Sequence, residues 1–227
     1  MNKKLHILFL SGWYPSRVLP TNGDFVQRHA EAVATKHNVT LIHVITDENI
    51  KLSEKTFHII NNVKTHIIYV PKTTNSLYKF FVFIKTYNSA INSIDNFDIV
   101  HLNITFPVGI IALNIKCFKK IPYIISEHST KYQPENCNSI GFFEKYVTFK
   151  IIKSASFICP VSNDLAEKMI SFGFTGNYIS VPNVVNTNTF KTLNEELNGF
   201  TITHVSHLGD EHKNISGILN VISNFPI

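Results

Sequence analysis

The sequence predicts an α/β fold built on a parallel sheet with helices on its faces. Short apolar, β-rich runs alternate with stretches of helical periodicity along most of the chain. The first run, Leu5 to Ser11, is almost continuously apolar, as in a strand buried on both faces. The 227 residues are 44% hydrophobic and 16% charged, which is globular composition in a chain long enough to bury a full core.

Each element follows from a local signal. Asn22 to His37 reads as a helix with Phe25, Val26, His29, Ala30 and Val33 on one face, and Val39 to Thr46 as the second strand. Thr56–Ile60 and Val63–Val70 are two strands turned at Asn61-Asn62. Ser76 to Ile94 is helical, Asp98 to Asn103 a strand, and Val108 to Phe118 a helix that starts just after Pro107. Pro122 to Glu127 and Ser156 to Val161 are strands that flank a helix over Gly141 to Ser154. Ser162 caps a helix with Asp164 in its first turn, and Gly173 ends it. Tyr178 to Val181 reads as a further strand. Strands joined through helices imply parallel neighbours with right-handed crossovers.

The composition changes between Pro182 and Gly199, where Asn and Thr crowd the chain. The expected organisation is a first domain over 1–185, a linker over 186–199 and the incomplete start of a second domain over 200–227. That last part holds a strand from Phe200 to Val205 and a helix from Asn214 to Phe225. One strand and one helix cannot close a core. An unfinished domain is expected to expose Ile215, Ile218, Leu219 and Ile222.

Charge and cysteine content narrow the classes. Lys and Arg number 21 against 16 Asp and Glu, for a net charge of +5. That suits an anionic partner. Because only Arg17 and Arg28 are arginines, while Lys, Asn and Ile abound, AT-rich codon usage explains the same balance. Cys117, Cys137 and Cys159 show no C-x-x-C spacing and read as reduced thiols of a cytoplasmic protein. No run of eighteen apolar residues is present to form a spanning helix.

The loop from Gly12 to Gly23 lacks G-x-G-x-x-G, and no G-x-x-x-x-G-K-[ST] occurs anywhere, which excludes P-loop phosphoryl transfer. Asn22-Gly23 sits where the following helix begins. Free N–H groups there can approach a phosphate, or Gly23 is simply a turn glycine with positive φ. Glu127-His128 ends a buried strand, on the edge where open α/β sheets bind ligands. A histidine there polarises a substrate hydroxyl, or only hydrogen-bonds a loop. His204, His207, Asp210, Glu211 and His212 match no standard zinc spacing, so no metal is expected. Lys213 opens the last helix, where a cation opposes the dipole unless an anion binds. Residues 77–85 and 142–153 interleave aromatics with Lys. They read as core helices with snorkelling lysines or as faces for an anionic membrane surface. Single-stranded nucleic acid fits them too, but no nucleic-acid signature supports it, so nucleic acid is not expected as a partner.

Four stretches in order resemble the family-four glycosyltransferases of the GT-B fold. They are "ILFLSGWYPSRVLPTNGDFVQRHAEAVA", "DIVHLN" with "PYIISEHST", "ASFICPVSNDLAEKMISFG" followed by "ISVPNVVNTNTF", and "ITHVSHLGDEHKNISGIL". The resemblance implies two Rossmann-like domains with a cleft between them, the first binding an acceptor and the second a nucleotide sugar. It implies transfer of a hexose with retention from a UDP- or GDP-linked donor to a glycan or lipid-linked acceptor, without a metal or other cofactor. The setting is cell-surface polysaccharide or glycolipid synthesis, peripheral to the inner face of the membrane. His128 matches the histidine near the transferred sugar, Gly23 the second glycine of the loop near the donor phosphate, and Lys213 the lysine that neutralises the diphosphate. His207 stands where the family usually has Arg, as a weaker, pH-dependent cation. Asn22 stands at the first loop glycine and is assigned, with Arg17 and Glu127, to the acceptor side. The family's E-x7-E element falls beyond Ile227, so the chain by itself is expected to be inactive. Two rivals stand beside this reading. One is a non-catalytic acceptor- or membrane-binding module; the other, a nucleotide-dependent epimerase or dehydrogenase, lacks the glycine fingerprint.

Overall fold

The computed structural model describes residues 3–133, 140–191, 201–206 and 208–224. The chain forms two compact units, Met1–Val185 and Asn186–Ile227. The first is a Rossmann-like domain around a seven-stranded sheet of order β3-β4-β2-β1-β5-β6-β7. Its strands are β1 (His6–Ser11), β2 (Asn38–Asp47), β3 (Glu54–Ile60), β4 (Val63–Pro71), β5 (Ile99–Asn103), β6 (Tyr123–Glu127) and β7 (Phe157–Pro160). Its helices are α1 (Asp24–Ala34), α2 (Ser76–Asn92), α3 (Gly109–Lys119), α4 (Phe142–Ser154) and α5 (Asn163–Ser171).

Every strand pair is parallel except β3 with β4. That antiparallel edge follows from Asn61 and Asn62, both at positive φ (46° and 67°), in the two-residue turn such a hairpin needs. Side chains along each strand alternate between two cores. Leu8 and Leu10 of β1 pack into the core that holds α2, α3, α4 and α5, whereas Ile7 and Phe9 pack into the core beneath α1. The chain thus leaves β1 towards β2 over one face and reaches β5 over the other. The switch lies between β1 and β5, and the crevice at the carboxyl ends of these strands is where such sheets bind ligands.

Tyr87 of α2 ties this edge together. Its buried hydroxyl donates to the Ser11 carbonyl (2.8 Å) and accepts from the Val44 N–H (3.3 Å). The phenol is pushed above its ordinary range by burial.

Two expected strands are absent. Tyr178 makes a single parallel bridge to Ile158, and Ile179 and Val181 donate to the carbonyls of Ile158 and Pro160 (both 2.9 Å). Pro160 has no N–H to return, so the ladder breaks there. Thr201 to Val205 forms no strand, because a lone extended segment has no ladder partner among the described residues. The second unit holds α6 (Asp210–Lys213) and α7 (Ile215–Ser223). No residue of α7 is buried, and Leu219, Val221 and Ile222 are exposed.

Replacing Tyr87 by Phe should destabilise the first unit by about 1–2 kcal/mol, because Ser11 and Val44 lose a buried partner. For a unit of this size that lowers Tm by roughly 2–8 °C in a calorimetric scan. An unchanged Tm would mean that the tyrosine hydroxyl holds nothing.

Candidate active site

The site is built on a carboxylate. Glu127, the last residue of β6, is fully buried. One of its oxygens accepts from the Thr105 N–H (2.9 Å) and the Thr105 hydroxyl (2.6 Å). The other accepts from the N–H groups of His128 and Ser129, each at 2.9 Å. Both lone pairs of both oxygens are filled. The group joins the ends of β5 and β6 and leaves nothing for a substrate hydroxyl. Next to it, Ile104 holds φ at +68°, a costly conformation for a β-branched residue. The Thr105–Glu127 bonds, with Ile104 N–H donating to the Ser126 carbonyl (3.0 Å), keep it there.

His128 follows directly and meets the start of α1. Its ring lies 4.2 Å from that of Phe25 and stands edge-on to His29 at 5.8 Å. Phe25 in turn meets Trp13 edge-on at 6.2 Å. Gly23 caps α1 at φ 72°, and an added Cβ would lie 2.5–2.7 Å from the backbone of Trp13 and Tyr14. Only glycine lets the helix start so close to the first loop. Asp24 beside it pairs with Arg28 at 2.6 Å, so its charge is answered within the helix.

The histidines around this edge are uncharged at neutral pH. Burial, and then the neighbouring His29, brings His128 down to about 4. Burial, then His29 and His128, brings His101 to about 3. Burial brings His43 to about 4, partly offset by its bond to the Ser11 carbonyl. The Nε2 atoms of His128, His29 and His43 are buried without a hydrogen-bond partner. For His43 the tautomer is fixed: Nδ1 lies 3.0 Å from the Ser11 carbonyl and carries the proton. Its Nε2 therefore offers a bare lone pair.

Two adjoining clefts open along the strand ends. One, of about 580 Å³, is walled by Trp13, Leu19, Phe80, Phe83 and Pro107, with His43 and Asn22 as polar members. The other, of about 830 Å³, is lined by Arg17, Asp47, Glu54, Lys72 and Thr73. Val18, Thr46 and Lys79 line both. Arg17 is committed within its cleft. It pairs with Asp47 (2.9 Å) and Glu54 (2.7 Å), and its guanidinium lies 3.9 Å over the Tyr69 ring. The two carboxylates raise the pKa of Arg17 further. Asp47 is held low, first by the Asn49 N–H and then by Arg17.

The structure thus gathers Asn22, Gly23, Glu127 and His128 around the first loop, the start of α1 and the end of β6, and leaves Arg17 in the neighbouring polar cleft. Lys213 belongs to the second unit. It ends α6 instead of opening a helix, and Asn214 (φ 47°) separates it from α7. A lysine at a helix carboxyl end suits the dipole, so its placement needs no anion. His207 lies outside the described residues. Among the described residues no group of three potential metal ligands comes together, and no helix is long and apolar enough to cross a membrane. Sequence reasoning missed Thr105, Trp13 and His43. Trp13 lies just past the end of β1, and that position was the available signal; His43 lies inside β2, opposite Ser11, where periodicity marks it only as a strand residue. Nothing local distinguishes Thr105.

The family model for Glycosyltransferase Family 4 matches residues 24–189. The chain belongs to glycosyltransferase family 4. Sucrose-phosphate synthase from Thermosynechococcus elongatus superimposes with a TM-score of 0.52 at 15% identity, over 81% of this chain and 92% of that one. At that identity the likeness shows the fold, which is the Rossmann-like domain of a GT-B glycosyltransferase. No curated protein matches the sequence.

For this family-four chain, Glu127→Gln turns an amide N–H₂ towards existing donors. It should cost about 3 kcal/mol in urea unfolding; a loss under about 0.5 kcal/mol would show that the four bonds are not made. Gly23→Ala should destabilise comparably through the contact with Trp13, again read by urea unfolding. Acid should weaken the fold. In the unfolded chain His43, His101 and His128 take up protons near 6.5, but in the fold only near 3–4. Stability should therefore fall as pH drops from 6.5 to about 4, by on the order of 1 kcal/mol per pH unit for each histidine. Flat stability over that window would contradict the buried, neutral histidines.

Proposed function

We propose that this glycosyltransferase moves a hexose from a UDP- or GDP-linked donor to a glycan or lipid-linked acceptor, with retention, in cell-surface polysaccharide or glycolipid assembly. The observation that carries the reading is His128. Its imidazole is neutral, its Nε2 is buried and unpaired, and Glu127, itself held by Thr105, fixes its backbone at the carboxyl end of β6.

The chemistry explains why a neutral histidine suits this place. The bond from the anomeric carbon to the phosphate oxygen breaks, and its electron pair leaves with the diphosphate. The acceptor oxygen bonds that carbon and gives its proton to the departing phosphate oxygen. Positive charge builds on the sugar and negative charge on the leaving group. A neutral imidazole holds a sugar hydroxyl without adding positive charge beside the developing cation. Lys213, and His207 when protonated, are proposed to meet the diphosphate. The N–H groups of Asp24 and Phe25, which precede the first bond of α1 from Val26 to the Gly23 carbonyl, suit phosphate oxygens. Asn22 and the His43 lone pair suit acceptor hydroxyls, and Arg17 the polar end of the acceptor. Glu127 acts through His128 as a positioning residue.

The test is made on the full-length protein, presented with labelled UDP- and GDP-hexoses and with glycan and lipid-linked acceptors. His128→Ala should lower transfer by about 100-fold or more, and Lys213→Ala should weaken use of the donor. Equal rates in wild type and His128→Ala would remove His128 from the site. Acceptor binding with no transfer from any donor would favour a non-catalytic binding module.

A further inference from the structure

The outer side of α2 carries features that neither the core nor sugar transfer uses. The helix buries Tyr87, Ala90 and Ile91 against the sheet. Leu77, Tyr78 and Phe81 face the other way and are 73%, 60% and 66% exposed. Residues 77, 81 and 85 lie one turn apart, so this apolar patch leads directly to Lys85. Beside it, between α2 and the β3–β4 edge, lies a pocket of about 470 Å³. Lys55, Lys85, Ser53, Thr86, Ser89 and Ser93 line it, Tyr78 stands at its wall, and no acidic residue takes part.

Strand alternation produces this separation of charge. Glu54 turns to the opposite face of β3, where Arg17 holds it at 2.7 Å. Lys55 therefore faces the α2 side without its neighbour's carboxylate, and its ammonium donates to the Ser93 hydroxyl at 3.4 Å. Lys85 has no ion-pair partner among the described residues. Two ammonium groups among hydroxyls, with no carboxylate, make a site for a phosphate. A rim of Leu, Tyr and Phe matches the boundary between headgroups and acyl chains.

We propose that this face of α2 docks the protein on an anionic phospholipid surface. A lipid phosphate sits between Lys55 and Lys85, and Leu77, Tyr78 and Phe81 enter the interface. The net charge of +5 adds long-range attraction. The aromatic helix α4 is a poorer match. Lys145, Lys150 and Lys153 lie over the rings of Phe172, Tyr146 and Phe149, and Lys131 pairs with Glu144 at 2.8 Å. The docking face is separate from the clefts at the strand ends, and the proposal stands or falls independently of sugar transfer.

Cosedimentation with vesicles of about 30% phosphatidylglycerol in phosphatidylcholine, and with phosphatidylcholine alone, tests it. Binding should require the anionic lipid and fade as salt rises to about 0.5 M. The double variant Lys55→Glu/Lys85→Glu should weaken it by about tenfold or more, as should Leu77→Ser/Phe81→Ser at low salt. All four positions are exposed, and circular dichroism checks that the fold is kept. The same charge change at Lys4 and Lys36, at the opposite ends of the strands, should leave most of the binding. Four results would overturn the proposal: no binding to the anionic vesicles; equal binding to both vesicle types; an equal loss from the Lys4 and Lys36 variant; or capture of inorganic phosphate by the pocket without vesicle binding.

Discussion

A buried carboxylate is costly to a fold unless each lone pair finds a donor. Glu127 meets that condition inside the chain, with two donors from Thr105 and one each from His128 and Ser129. The bonds do three things at once. They hold the ends of β5 and β6 in register beyond the last ladder pair, between Asn103 and Ser126. They keep Ile104 in a left-handed conformation that it would otherwise leave. They also fix the backbone from which the His128 ring projects against Phe25. Trp13, Phe25 and His128 then form one chain of ring contacts from the first loop to the end of β6.

The same packing sets the electrostatics. Burial disfavours the charged form of histidines 43, 101 and 128, and at the last two neighbouring histidines add to the effect. Fixed positive charge is kept elsewhere. Arg17 is neutralised by Asp47 and Glu54 in the adjoining cleft, and Lys55 and Lys85 lie at the outer side of α2. The domain therefore keeps neutral histidines near the first loop, ion pairs in the adjoining cleft and a pair of lysines without carboxylates at the outer side of α2. That division suits a protein that handles a polar sugar at one place and an anionic surface at another.

Much of the first unit was legible in the sequence. A near-continuous apolar run marked β1, shorter β-rich runs marked β2, β5 and β6, and Asn61-Asn62 marked the hairpin. The strand expected over Tyr178 to Val181 failed on Pro160, whose missing N–H belongs to the neighbouring strand and leaves no mark on the segment itself. Lys213 was expected to open a helix; Asn214 at positive φ breaks the helical run one residue later. His128 was visible from its place at a strand end. The inward commitment of Glu127 was not, because its Thr105 donors come from 22 residues earlier in the chain. Arg17 likewise carried no sign that Asp47 and Glu54 would fold back onto it. Partners distant in sequence decide such cases, and periodicity does not record them.

The account rests on a neutral His128 held in place by the Glu127 bonds. The most direct measurement is an NMR titration of the imidazole resonances in the intact protein, with Glu127→Gln alongside. It predicts that His128 stays uncharged through pH 6 and takes up its proton near 4, and that Glu127→Gln shifts or broadens its resonances. Titration of His128 at the ordinary value near 6.5, unaltered by Glu127→Gln, would contradict it.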